Sequence, residues 1–261
     1  MWVWLVRRRV HLSKWVFEMN VSIIIPAYNE ERLLPTTLER VRAAAQVAFT
    51  ERGWKWEIVV CDNNSSDRTA VIAQAGGATV TFEPINQIGR ARDTGARAAR
   101  GEWLIFIDAD STPSSALLSD IAMQMKGGRA LGGGVTVRLD ADAPWHAHLL
   151  GFCWNRWSRL VSWAAGSCVW VEASAFHEVG GFGTEAYAGE EVGLSRKLKR
   201  LARQRRKRFI ILSKHPLETS SRKVRLYTPW EMVRLLLWMI FSFGRAAKDP
   251  KACHLWYDGR R

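Results

Sequence analysis

Apolar residues in this chain gather in short β-branched runs, separated by stretches in which they recur every three or four positions. Val21 to Ile25 is the first such run and Pro26 ends it. A core strand is therefore expected, followed by a loop through Ala27, Tyr28, Asn29, Glu30 and Glu31. Pro35 to about Thr50 is alanine-rich with helical apolar spacing. Trp56 to Cys61 reads as a second strand whose carboxyl end delivers Asp62, Asn63, Asn64, Ser65, Ser66 and Asp67. Ser66 or Asp67 suits the cap of a helix reaching Ala75. Gly76 and Gly77 break that helix, Ala78 to Phe82 gives a third strand, and Gln87 to Arg100 a helix stopped by Gly101.

Trp103 to Ile107 is the fourth strand, apolar throughout, as the interior of a parallel sheet requires. Strands alternating with helices predict an α/β chain: a doubly wound, mostly parallel, Rossmann-like sheet with helices on both faces. Ligands of such sheets collect at the carboxyl ends of the strands, where this one delivers Asp108 and Asp110. Carboxylate oxygens there suit Mg²⁺ or Mn²⁺ beside a diphosphate. The expectation is a metal-dependent enzyme with a nucleotide-linked substrate.

Beyond Asp110 the pattern predicts a helix over Ser114 to Met125 and a strand over Ala130 to Leu139. Pro144 to Ala164, rich in Trp, Leu and His, either lines an acceptor pocket or packs as a helix with ordinary core aromatics. Gly166 to Val171 returns to a strand, and Gly180, Gly181, Phe182 and Gly183 form a turn before Glu190 and Glu191. Arg196 to Arg208 is densely basic, starts on a helix and reads first as a solvated face, with an anionic surface as the alternative. Trp230 to Phe243 is either an interfacial amphipathic helix or one packed on the main domain. The expected organisation is an extension at 1–20, one domain over 21–227, and a helical extension and tail over 228–261.

With 48% hydrophobic residues in 261, the chain can bury a large core. Lys plus Arg number 38 against 25 Asp plus Glu, a net +13 that favours nucleotide diphosphates, anionic lipid surfaces or nucleic acid. No base-reading motif is present, so no specific nucleic-acid partner is expected. Four widely spaced cysteines without a CxxC pair argue against a zinc cluster or a disulfide scaffold and for a reducing compartment. Residues 1–9 place apolar positions before three arginines, the reverse of a secretory signal, and Leu235 to Phe243 falls far short of the roughly 20 residues needed to span a bilayer. The expected location is the cytoplasm, with peripheral contact at the cytoplasmic face of a membrane left open.

Taken together, Val21-Ser-Ile-Ile-Ile-Pro-Ala-Tyr-Asn-Glu-Glu31, Asp62-Asn-Asn-Ser-Ser-Asp-Arg-Thr69, Asp108-Ala-Asp110, Gly180-Gly-Phe182 and Glu190-Glu191 resemble the family-2 glycosyltransferases of the GT-A fold. The resemblance covers Val21 to about Arg208. It implies transfer of a sugar from a nucleotide-sugar donor, UDP-linked rather than GDP-linked, to a hydroxyl of a saccharide, lipid-linked or small-molecule acceptor, with inversion. Pro26, Ala27, Tyr28, Glu30, Asp62 and Asn64 match positions around the base and ribose. Arg92, Asp108 and Ala109 belong to the diphosphate side by that resemblance, although the residues themselves make Arg92 more safely a surface or structural residue.

By the same resemblance Asp110 and Asp108 hold Mn²⁺ or Mg²⁺, with His215 or His254 as a third ligand. Glu191 stands where the family places its base, and Glu190 is the rival. Asp93 departs from the family's usual Asn. Ser220, Ser221 and Arg222 suit a loop closing over donor or acceptor. Two other readings compete: a degenerate domain acting as a polyanion-binding or scaffold module, and a nucleotidyltransferase, which would need an early glycine-rich loop with a basic residue.

Overall fold

The computed structural model describes residues 19–185 and 187–222; the expected helix at Trp230 to Phe243, the rival ligand His254 and the start of the chain lie outside them. Strands β1 (Asn20–Ala27), β2 (Lys55–Asp62), β3 (Thr79–Phe82) and β4 (Trp103–Ile107) pair in parallel in the order β3-β2-β1-β4. Helices α1 (Leu34–Ala48), α2 (Thr69–Ala75) and α3 (Ile88–Ala98) connect them, each within a few residues of the expected span.

The apolar runs are continuous because both faces of these strands are covered. Ile23, Ile25, Ile105 and Ile107 point into a core shared with α1 and with α4 (Ser115–Gly127), while Ile24, Leu104 and Phe106 point into a second core on the opposite face. Ser114 caps α4, its hydroxyl accepting from Leu117 N at 3.1 Å. Cys61 and Cys168 are buried thiols within these layers, pushed up by burial to about 11 and about 12, and Cys153 is exposed.

After β4 the winding changes. A short β5 (Ser111–Thr112) precedes α4, then β6 (Ala130–Leu139), α5 (Trp145–Val161), β7 (Cys168–Glu172), α6 (Ala173–Glu178), α7 (Glu190–Gln204) and β8 (Arg208–Thr219) follow. The full sheet runs β3-β2-β1-β4-β7-β6-β8-β5, with β7 antiparallel to both neighbours and β8 parallel to β6. α3, α6 and α7 supply the second core, so helices cover both faces as expected.

Three of these elements escaped the sequence reading, β5 because it has only two residues. β8 opens in the basic run and continues through Ser213, Lys214, His215 and Pro216, for which the sequence predicted no strand; its register with β6 makes it one. α6 has six residues, too few to show a period. The basic run divides: α7 buries Leu194, Leu198 and Leu201 and exposes its charged face, while Arg205 and Lys207 both pair with Glu172. Of the two readings of this segment, the helix with core aromatics is only half met: α5 forms, but only Ala147 and Ser158 of it are buried, and most of its large apolar side chains face outward.

Gly132, Gly133 and Gly134 lie in β6 between β7 and β8, where a Cβ on Gly133 would stand 2.0 Å from the Ile210 carbonyl oxygen and one on Gly134 2.6 Å from Ala164 Cβ. The first neighbour is backbone and cannot yield without opening the ladder. Gly133→Ala should therefore cost about 1–3 kcal/mol or more, as overpacking of a rigid core does. Urea denaturation followed by circular dichroism reads this directly.

Candidate functional site

Because β1 pairs with both β2 and β4 in parallel, with Ala27 opposite Asp62 and Ile24 opposite Phe106, their carboxyl ends share one rim. The first two loops are stitched together on it. Asn63 N donates to the Ala27 carbonyl at 2.8 Å, Asn29 N to Ser65 Oγ at 2.9 Å, Glu30 N to Thr69 Oγ1 at 2.8 Å and Glu31 N to Asp67 Oδ2 at 3.1 Å. Asp67 also accepts from Thr69 N at 2.9 Å, one position before Arg68, which stands at the helix N-cap without a side-chain cap bond, so neither Ser66 nor Asp67 takes the expected cap position. Asn29 and Asn64 take left-handed backbone with φ of 51° and 66°, which asparagine tolerates.

Asp62 is buried and accepts from Ser65 N at 3.1 Å; Asn64 beside it is exposed and Tyr28 half-buried. Pro26 and Ala27 end the buried strand. Glu30 is buried and bound by Arg222, whose Nη2 reaches both carboxylate oxygens at 2.9 and 3.1 Å.

The β4 loop turns as expected: Ser111 N donates to the Asp108 carbonyl at 3.1 Å, and Ser220 N to the Asp110 carbonyl at 3.1 Å. Both aspartates line a cavity of about 260 Å³ with Arg92, Glu190, Glu191, Gly166, Ser167 and Ser220. Ala109 does not line it; its methyl packs in the core and its carbonyl accepts from Thr37 Oγ1 at 2.7 Å.

Arg92 is no surface residue. It is 2% exposed, donates through Nη1 to Glu190 Oε1 at 2.6 Å and through Nη2 to Asp108 Oδ1 at 2.7 Å and the Gly166 carbonyl at 2.8 Å, and lies over the Phe182 ring. Burial works against its charge, but Asp108, Glu190 and Glu191 more than offset that and raise it. Burial pushes Glu190 up, opposed by Arg92. Glu191 lies at the cavity wall and is pushed up to about 8, first by loss of hydration and then by the charge of Glu190.

His215 is a correction. Its Nδ1 lies 2.8 Å from Asp120 Oδ2 on α4, and it does not line the cavity, because the β6–β8 register turns that part of β8 toward α4. Among the described residues no group of three or more His, Cys, Asp or Glu could hold a metal ion. Asp108 and Asp110 alone fit a hard divalent cation that takes its remaining ligands from water and a diphosphate, as Mg²⁺ and Mn²⁺ commonly do.

Sequence reasoning missed what long-range pairing delivers. Gly166 and Ser167 reach the cavity because β7 runs antiparallel to β4, placing the Ser167 carbonyl 3.2 Å from Asp108 N. Asp93 accepts from Phe182 N at 2.9 Å and Gly183 N at 3.1 Å, clamping the glycine turn that leads to Glu190. Burial raises Asp93 and those two bonds oppose the rise. Of the expected closing loop, Ser220 lines the cavity, Ser221 bonds Asp140, and Arg222 holds Glu30.

The family model described as Glycosyl transferase family 2 matches residues 22–179. A dolichyl-phosphate beta-glucosyltransferase of Trichomonas vaginalis is 36% identical over 100 residues, 36% of this chain and 31% of that protein. An undecaprenyl-phosphate 4-deoxy-4-formamido-L-arabinose transferase of Pseudomonas aeruginosa is 32% identical over 169 residues, 61% of this chain and 44% of that one. The chain thus spans less than half the length of these curated relatives. Among solved structures, a mannosyltransferase of Pyrobaculum calidifontis in complex with GDP-Man and Mn²⁺ superposes with a TM-score of 0.64 at 20% identity, covering 92% of this chain and 69% of that one. The glucosyl-3-phosphoglycerate synthase of Mycobacterium tuberculosis with Mn²⁺, UDP and phosphoglyceric acid gives 0.58 at 16% identity, covering 90% and 78%.

Replacing Arg92 by Met would leave Glu190 buried without its cation. The expected loss is about 3–5 kcal/mol of stability, read as a lower denaturation midpoint.

Proposed function

Because the chain belongs to glycosyl transferase family 2, we propose that it moves a sugar from a nucleoside diphosphate sugar to an acceptor hydroxyl, with Mg²⁺ or Mn²⁺ and with inversion. The observation that carries this reading is the meeting, in one cavity, of two aspartates of metal-binding type and a glutamate raised to about 8. The loop over Pro26, Ala27, Tyr28 and Glu30, with Asp62 and Asn64, takes the nucleoside. A carboxylate at Asp62 can accept the N3 hydrogen of uracil, which favours UDP-sugar over GDP-sugar. The names of the two curated relatives, both polyprenyl-phosphate transferases, favour a lipid-linked acceptor.

Asp110 and Asp108 would hold the cation, which offsets the negative charge developing on the departing diphosphate. Arg92 fixes Asp108 on one side and Glu190 on the other, so it orients the metal loop and the start of α7 together. Glu190, buried on Arg92, is a positioning residue. Glu191 takes the acceptor's proton as the acceptor oxygen attacks the anomeric carbon opposite the diphosphate.

Calorimetric titration with UDP and GDP, each with and without Mn²⁺, is expected to show Mn²⁺-dependent binding of UDP that Asp110→Ala abolishes with the fold intact. Binding of neither nucleotide would overturn the reading.

Glu191→Gln should lower turnover at least about a hundredfold while leaving UDP affinity within the error of the titration. Only the carboxylate form can accept a proton, so turnover should climb with pH up to about 8 and level above it. The same shift lowers stability as pH rises from the ordinary carboxylate range toward that value, because the folded chain keeps a proton that the unfolded chain has released. A pH-rate profile and a melting series over the same range measure both.

A further inference from the structure

Helix α5 presents an apolar stripe to the outside. Trp145 is 76% exposed, Leu160 77%, Phe152 61% and Leu149 53%, and at 100° per residue these four fall within one third of the helix circumference. Arg156 lies in the middle of the stripe and Arg159 at its margin, both exposed, and the helix contains no Asp or Glu. The opposite side holds the helix down: Asn155 bonds the backbone of Val137 through both its oxygen and its nitrogen, and Ala147 and Ser158 are buried. The outward face is thus a fixed feature of a packed helix.

The charge around it is mostly basic, with Asp142 before its first turn and Glu218 on β8 as exposed acidic exceptions. α7 meets the end of α5, where Lys199 donates to the Val161 carbonyl and Arg196 stacks over the Trp163 ring at 4.7 Å. The exposed side of α7 continues through Lys197, Arg200 and Arg203. A groove of about 360 Å³ between α5 and the β6–β8 pair adds His148 to Arg156 and Arg159. Large apolar side chains with interleaved arginines and a tryptophan at one end suit a plane whose surface is anionic and whose interior is apolar. No helix among the described residues is long and apolar enough to cross a membrane, so this one would lie along the interface.

We propose that the outer face of α5, with the basic side of α7, is a docking surface for an anionic lipid bilayer. Arginines bind lipid phosphates while Trp145, Leu149, Phe152 and Leu160 enter the headgroup and acyl boundary. The segment running from α5 through Ser162 to Gly166 leads directly into the cavity wall at Arg92. Docking would therefore bring the cavity close to the membrane surface. The surface is separate from donor chemistry, so failure of sugar transfer and failure of docking read out independently.

The test uses the full chain carrying Cys253→Ser, with an environment-sensitive fluorophore on Cys153, the exposed thiol of α5. Labelling should go to completion without lipid, and vesicles of phosphatidylcholine with phosphatidylglycerol should blue-shift the dye, whereas phosphatidylcholine alone should not. In co-sedimentation with the mixed vesicles, Leu149→Gln/Phe152→Gln/Leu160→Gln and Arg156→Gln/Arg159→Gln should each bind at least about tenfold more weakly, with unchanged melting curves. A thiol that resists labelling without lipid would show the face covered by another part of this chain or by a second copy, and would overturn the proposal. So would vesicle binding that ignores both variants or does not require the anionic lipid.

Discussion

Arg92 is the one interaction on which the site's geometry depends. A guanidinium is planar and carries five donors, and this one directs its terminal nitrogens to three separate pieces of the chain: the loop after β4 through Asp108, the start of α7 through Glu190, and the segment before β7 through the Gly166 carbonyl. Burying such a charge is costly unless it is paired and hydrogen-bonded. Its pairing with all three pieces offsets that cost and ties the start of α7 and the segment before β7 to the loop after β4.

The same economy governs the neighbouring residues. Asp93, one position along α3, receives two backbone N–H groups from the glycine turn, and that turn sets where α7 begins. Gly181, with φ of 64°, would carry a Cβ 2.5 Å from Asp93 Oδ1, so the clamp closes only over glycine. α3 thus holds the α7 side of the cavity by two successive residues, Arg92 and Asp93. An asparagine at 93 could accept one N–H through its oxygen, whereas the carboxylate accepts both, which gives the departure from the family's usual residue a physical role.

The outer half of the molecule follows a different rule. α5 is anchored by Asn155 and a few small side chains, and leaves its large apolar groups outside. Its aromatic composition matches that of a core helix, so composition alone could not separate core from surface. The distinction came from which face β6 occupies, and that face is lined by small and polar side chains.

The first four strands, their connecting helices and the candidate residues at their carboxyl ends were legible in the sequence, because each depends on local physics. β-branched runs, a proline stop, glycine breaks and acidic loop residues carry their meaning within about ten positions. Asp62, Asp108, Asp110 and Glu191 were named on that basis together with the family resemblance. What only tertiary structure decided was everything requiring partners distant in the chain. The strand over Arg208–Thr219 exists through its register with β6, His215 is drawn to Asp120, and Arg222 bonds a glutamate near the other end of the domain. Glu190 and Glu191 could not be told apart as sequence neighbours; both line the cavity, and the fold pairs Glu190 with a buried arginine. Hydrophobic periodicity specifies which face of an element is buried, but the position of a polar side chain depends on the charge waiting across the sheet, and that is set only once the sheet has formed.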